Sequence, residues 1–238
     1  MSGALAGRSA VVTGASRGIG LATSRALANE GARVVMLARG ADALRERSAE
    51  VGASAIALPC DVTDRGAIVR AAQHIMADLG GPPDILVNNA GRFILGRIEA
   101  LSEDDFAASV DVNLVAPFVL ARAFIPSMRE RGTGHIVTVG SVADRQIFPE
   151  NAAYAASKFG LRGLHEVMRA ELRGTGIRAT LVSPGPTDTP LWDSMEADRT
   201  GLPSRAAMLP AEATADAILY AVTRPIAVNV DELRLTRT

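Results

Sequence analysis

Aromatic side chains are scarce in this chain of 238 residues: Phe, Tyr and Trp make up 4% of it, with two tyrosines and one tryptophan. Its core must therefore be built from Ala, Val, Leu and Ile. Cysteine is nearly absent. Cys60 is alone, which excludes an intramolecular disulfide and is compatible with a reducing compartment. It ends the apolar run IALPCD, where a buried inert thiol is the natural reading. The three histidines, His74, His135 and His165, lie far apart without metal-site spacing, so no metal centre is expected. A formal net charge of -1 with scattered arginines gives no basic face for nucleic acid or a membrane surface. Charges and glycines interrupt the apolar runs, and the first residues do not read as a secretory leader. The cytoplasm is the expected location.

Strand-like apolar runs alternate with helix-length segments. Strands are expected over residues 10–13, 33–38, 54–58, 85–88, 135–139, 178–183 and 227–233. Helices are expected over 18–30, 41–51, 64–79, 102–131, 152–174 and 210–223. Ser102 and Asp105 suggest a loose capping box, and Pro117 should bend the longest helix. Apolar strands separated by helices imply an α/β fold, a three-layer doubly wound parallel sheet of the Rossmann type in one domain spanning 1–238. The crevice of such a fold lies at the carboxyl ends of the strands, where the unusual residues of this chain gather: 14–20, Arg39, Asp61, 88–91, Ser141 and 184–185. The long stretch 186–209 reads as a substrate lid.

TGASRGIG at 13–20 follows the first strand and opens the first helix. Gly14 permits the tight turn, Gly18 lets the backbone approach a pyrophosphate, and Gly20 lets helix and sheet pack closely. The second strand ends in Ala38 and Arg39, where an NAD site would place an acid for the ribose hydroxyls. A guanidinium there can hold a 2'-phosphate, and Arg17 offers a second positive charge. NADP is therefore favoured over NAD, the alternative being that both arginines are simply solvated. In YAASK, Tyr154 and Lys158 stand four residues apart, one helical turn on one face. A phenol ordinarily titrates near pH ~10, and a neighbouring ammonium is expected to lower that value and make Tyr154 an acid or base.

Together with CDVTD at 60–64, NNAG at 88–91, DVNL around Asn113, Gly140–Ser141 and PGPTDT at 184–189, these motifs run in an order that resembles the short-chain dehydrogenases/reductases along nearly the whole chain. The resemblance implies an NAD(P)-dependent enzyme moving hydride between nicotinamide and a carbonyl or secondary alcohol. By it, Asn113, Ser141, Tyr154 and Lys158 are catalytic. Tyr154 is the acid or base, Lys158 its tuner and a ribose ligand, Ser141 orients the substrate oxygen, and Asn113 holds a relay water. The cofactor would be met by Gly14, Ser16, Arg17, Gly18, Ile19, Gly20, Arg39, Asp61 and Val62 on its adenosine and pyrophosphate side. Asn89, Ala90, Gly91, Tyr154, Lys158, Pro184, Gly185, Thr187 and Thr189 would complete the nicotinamide half and the floor of the site.

The same resemblance implies a homodimer or homotetramer through the helices over 102–131 and 152–174, with Ala155, Ala156, Phe159 and Leu164 available on the second. The ending VNVDELRLTRT lacks the glycine pair that many family members carry after the last strand. A non-catalytic NADPH-binding regulator is the contrasting reading. Phe93, Ile94, Ala143, Phe148, Leu191, Trp192 and Met195 are candidates for the substrate wall, and Arg92, Asp144, Arg145 and Gln146 for its polar groups. Acyl-chain ketones, sugars, steroids and small aromatic carbonyls all fit that description.

Overall fold

A computed structural model describes residues 3–193 and 202–238. Seven parallel strands form one sheet in the order β3-β2-β1-β4-β5-β6-β9. In chain order its elements are β1 (Ser9–Thr13), α1 (Gly18–Asn29), β2 (Arg33–Ala38), α2 (Ala41–Val51), β3 (Ala55–Pro59), α3 (Arg65–Leu79), β4 (Ile85–Asn88), α4 (Glu103–Val110) and α5 (Ala116–Arg131). They continue with β5 (Gly134–Val139), α6 (Ala152–Glu171), β6 (Ile177–Pro184), the short β7 (Thr187–Asp188) and β8 (Leu209–Pro210), α7 (Ala211–Val222) and β9 (Glu232–Leu235). Strand order reverses beside β1, and the crevice opens there and at β4, as a doubly wound sheet requires.

The sheet is buried on both faces, so its strands alternate between two cores rather than between core and water. Val11, Leu86 and Ile136 face a cluster with Ile68, Phe124 and Met168 of α3, α5 and α6. Val12, Val87 and Val137 face the other, with Leu27, Leu44 and Ile218 of α1, α2 and α7. Phe124 is the one aromatic ring among the largest fully buried side chains.

The long helix is continuous over Glu103–Arg131, with a π-helical turn at Asp111–Val115 joining α4 to α5. By length and composition it could cross a membrane, but Leu120, Phe124 and Met128 are packed into the core. Ser102 caps it by accepting the Asp105 N–H at 3.1 Å. The Asp105 carboxylate takes the Ser102 hydroxyl at 2.8 Å, so the box closes between side chains. The irregularity sits just upstream of Pro117, for a clear reason. Proline has no N–H to give the carbonyl four residues before it, which belongs to Asn113.

The expected final strand over 227–233 is displaced, since the ladder with β6 covers only Glu232–Leu235. Ahead of it the Asn229 side chain substitutes for a strand residue, its Oδ1 accepting from the Ala179 N–H and its Nδ2 donating to the Ala179 carbonyl, both at 3.1 Å. The apolar alternation of VNV therefore belongs to a connection that a side chain holds to the sheet. Part of the expected lid, with Met195, lies outside the described residues. Its described base is the β7–β8 pair, held by Arg205, which donates to Asp188 and to the Thr189 carbonyl at 2.6 Å each.

Candidate active site

The glycine turn is shaped by contacts that a side chain would break. Gly14 has φ +64°, and a Cβ there would lie 2.9 Å from the Ala90 backbone. A Cβ on Gly20 would come within 2.3 Å of the Gly14 carbonyl. Gly18, at φ +53°, would press a Cβ to 3.0 Å from the Thr189 side chain, so this turn and the start of the lid converge. Asn89 fastens the turn from below, its Nδ2 donating to the Thr13 carbonyl at 2.8 Å. The Thr13 hydroxyl accepts from the backbone N–H groups of Asn89 and Ala90, each at 2.9 Å. Asn89 thus supports the cradle, and the first turn of α1 is left to face an anion.

At the adenosine end, Arg17 and Arg39 are exposed, and neither guanidinium is engaged by another described residue. Asp61 accepts the backbone N–H and hydroxyl of Thr63 on one oxygen, at 2.9 and 2.8 Å, which leaves its second oxygen for a ligand. Val62 is buried beside it. At the far end of the crevice, the Gly185 N–H reaches the Leu235 carbonyl at 2.7 Å, and the buried Thr187 hydroxyl donates to the Gly185 carbonyl at 2.9 Å. β9 therefore anchors the loop that begins at Pro184. Ser16 and Ile19 lie in the turn between these ends, half-buried.

Ser141 follows β5 and caps a single 3-10 turn, Val142–Asp144. Its hydroxyl accepts the Ala143 N–H at 3.1 Å and meets the Tyr154 hydroxyl. Tyr154 and Lys158 occupy successive turns of α6, with the Lys158 Nζ 5.6 Å from the centre of the Tyr154 ring. That amine is buried and donates to the Val139 carbonyl at 2.9 Å. Burial pushes its pKa down to about 8, against the opposing pull of Asp144. The expected lowering of the phenol's pKa does not occur in this arrangement. Burial pushes Tyr154 above its ordinary value, the Ser141 hydrogen bond pulls the other way, and the Asp144 charge adds to the rise. Proximity in sequence to a lysine is outweighed by the loss of water around the hydroxyl.

Asn113 is fully buried in the π turn. Its amide donates to the Arg92 carbonyl at 2.8 Å and the Ser157 hydroxyl at 2.9 Å, and its oxygen accepts the Arg92 N–H at 2.8 Å. Both amide hydrogens are therefore used to tie the loop after β4 to α6. Its backbone carbonyl is the one that Pro117 deprives of its α-helical donor.

Asp144 was a candidate pocket group by sequence, but it is 1% exposed and spends both oxygens on partners within the protein. Its Oδ2 takes the Ser183 hydroxyl at 2.5 Å and completes a capping box with the Ser141 N–H, while Oδ1 takes Arg145 Nε at 2.8 Å. Arg145 also binds Glu232 of β9, and Arg162 of α6 approaches both carboxylates. Burial would raise the Glu232 carboxyl, yet hydrogen bonds from Arg162 and Arg145 carry it below its ordinary value. No local motif announces this four-charge network, because its members come from three separate places in the chain. Asp144→Asn is expected to lower the pKa of Tyr154, since it removes a negative charge that disfavours the phenolate. Tyrosine-ring carbon NMR against pH in a Tyr220→Phe background, where Tyr154 is the only phenol, checks this. A titration that stays put or moves upward contradicts it.

Of the wall candidates, Phe93 meets Tyr154 edge-on at 4.8 Å and Trp192 at 5.1 Å. Ala143 is buried, Ile94 and Leu191 are half-buried, and Phe148 and Gln146 are exposed. Arg92 is paired with Asp105. A basin of about 950 Å³ at the opposite, amino end of the strands, between Arg8, Arg33 and Arg131, is separate from this crevice. Arg131 donates there to the Pro82 and Pro83 carbonyls, at 2.6 and 2.9 Å, and Arg33 to that of Asp78 at 3.1 Å.

The short chain dehydrogenase family model matches residues 8–200. A glycine betaine reductase of Emericella nidulans is 38% identical over 97% of this chain, which spans only 19% of that protein's length. A metagenomic short-chain oxidoreductase solved in complex with NADP is 35% identical, with a TM-score of 0.85 over 99% of both chains. An alcohol dehydrogenase from Thermococcus sibiricus, complexed with 5-hydroxy-NADP, is 29% identical, with a TM-score of 0.87 over 97% of both.

Proposed function

Since this chain belongs to the short-chain dehydrogenase family, we propose that it is an NADP-dependent oxidoreductase acting on a carbonyl or secondary alcohol, with Tyr154 as general acid and base. The observation that carries this reading is the meeting of Tyr154, Ser141 and Lys158 at the carboxyl ends of the strands, beside a glycine turn open to a pyrophosphate. The residues fit the cofactor: the first turn of α1 and Gly18 would take the pyrophosphate, Asp61 and Val62 the adenine, and Lys158 the nicotinamide ribose. The bound nicotinamide supplies or accepts the hydride.

The chain's own work is to hold the substrate oxygen and move one proton. Ser141 orients that oxygen toward Tyr154. A high phenol pKa keeps Tyr154 protonated at neutral pH, as an acid for carbonyl reduction must be. Lys158, buried beside the ring, would refill the proton through the Asn113 carbonyl and solvent. The exposed Phe118, Phe159 and Val167 on α5 and α6 support assembly through these helices.

Preference for NADP rests on Arg39 and Arg17, the free cations at the ribose end, and on the missing acid. The wild-type protein should oxidise NADPH with a panel of neutral aldehydes and ketones and prefer it to NADH. Arg39→Ala should raise the NADPH KM roughly tenfold to a hundredfold, the loss of one charged hydrogen-bonding partner, and leave NADH nearly unchanged. Equal use of both cofactors by both proteins removes the NADP assignment. No turnover with any carbonyl, alongside tight NADPH binding, favours the regulator instead.

A further inference from the structure

The groups around the Tyr154 hydroxyl define what can sit on it. Phe93 lies against the Tyr154 ring at 4.8 Å with planes at 73°, and Trp192, at the base of the lid, lies against Phe93 at 5.1 Å with planes at 59°. In a chain with nine aromatic residues in total, three of them meet at this one place. Their loops are tied together: Gly96, downstream of Phe93, bridges to Asn151 and donates its N–H to the Glu150 carbonyl at 2.8 Å. The segment so held also carries Ile147 and Phe148, 81% and 45% exposed.

The cations nearby are already matched. Arg92 is bound to Asp105, Arg145 to Asp144 and Glu232, and Lys158 to the Val139 carbonyl. A carboxylate or phosphate on the substrate would lose water and find these arginines already paired, the free Arg17 and Arg39 lying at the adenosine end of the crevice. A polyhydroxylated body would lose water against rings that return no hydrogen bonds. A flat uncharged ring, by contrast, gains both buried area and edge or offset contact with Phe93 and Trp192.

We infer that the preferred substrates are neutral aryl ketones or aryl aldehydes, whose ring rests on the Phe93–Trp192 shelf while the carbonyl oxygen meets Tyr154 and Ser141. The step balances as one NADPH hydride added to the carbonyl carbon and one Tyr154 proton added to its oxygen, giving NADP+ and the secondary or primary aryl alcohol. The inference rests on the hydride-transfer reading above and narrows its substrate.

Binding can be measured without turnover, in protein saturated with NADP+. Calorimetric titration with acetophenone, benzoylformate and dihydroxyacetone separates a neutral aryl ketone, its anionic counterpart and a hydroxylated aliphatic ketone. Acetophenone should bind at least tenfold more tightly than either. It should also perturb the emission of Trp192, the sole tryptophan. Phe93→Leu, which keeps apolar bulk and removes the flat ring, should weaken acetophenone severalfold and leave dihydroxyacetone unchanged. Equal or tighter binding of benzoylformate or dihydroxyacetone by the wild type overturns the inference, whatever the variant does. Acetophenone binding without NADPH-dependent reduction of any carbonyl keeps the shelf and removes the hydride-transfer reading. Reduction confined to anionic or hydroxylated carbonyls does the reverse.

Discussion

Tyr154→Phe is expected to lower kcat for carbonyl reduction by a factor of roughly 10²–10⁴, the range lost with a positioned general acid, while the NADPH dissociation constant stays within about twofold. The asymmetry follows from what phenylalanine keeps. Its ring still meets Phe93 and still lies beside the Lys158 ammonium. Only the hydroxyl disappears, and with it the proton that the developing alkoxide must receive. Lys158→Ala should behave differently, harming cofactor binding as well as turnover, because the amine would serve both the ribose and the relay. Single-turnover kinetics and NADPH titration on the two variants distinguish these outcomes. Turnover by Tyr154→Phe within tenfold of wild type would falsify its role as the acid.

Lowering the pH from 7.5 to 5 should cost the fold about 4 kcal/mol through two buried histidines, His135 and His165. Each ring has one nitrogen on a threonine: His135 Nε2 on Thr180 Oγ1 at 2.8 Å, and His165 Nδ1 on Thr138 Oγ1 at 3.0 Å. The other nitrogen of each is buried without a partner among the described residues. Burial is the main cause that pushes His135 down to about 3 and His165 to about 4. The sign follows from linkage. Below the unfolded value near 6.5 the unfolded chain takes up protons that the folded one refuses, so stability falls until the folded pKa values are reached. At pH 5 each imidazole contributes about 2 kcal/mol of that loss. Against a typical total of about 5–15 kcal/mol, this is a large share. Denaturant unfolding at the two pH values measures it, and His165→Gln should shrink the difference by about half. A difference below about 1 kcal/mol would contradict buried neutral rings.

How much of this was legible in the sequence depends on how far apart the partners lie. The glycine turn could be read because its spacing is local, as the closeness of Gly20 to the Gly14 carbonyl shows. Ala90 and Thr189, which also hold Gly14 and Gly18 bare, lie far along the chain. The sheet could be read from uninterrupted Val and Ile runs, which belong to strands covered on both faces. The irregular helix was half legible: Pro117 marks the place, but the bond it withholds belongs to Asn113, four residues earlier. The direction of the Tyr154 pKa was misjudged because neighbours in sequence reveal a charge and not the depth of burial. The Asp144–Arg145–Arg162–Glu232 network was out of reach, as it forms only when β9 lies down beside β6. The misplaced strand over 227–233 has the same origin, since only the fold shows that Asn229 uses its side chain where a strand would use its backbone.

The position of β9 also sets a timetable. Synthesis delivers β1 to β6 and α6 first, and those elements precede β9 in the chain. Glu232 and the Leu235 carbonyl follow all of these, yet they hold Arg145 and the Gly185 N–H. Until they emerge, the loop after β5 and the loop after β6 lack their common anchor. The two walls of the crevice are therefore locked together only once β9 has joined the sheet beside β6.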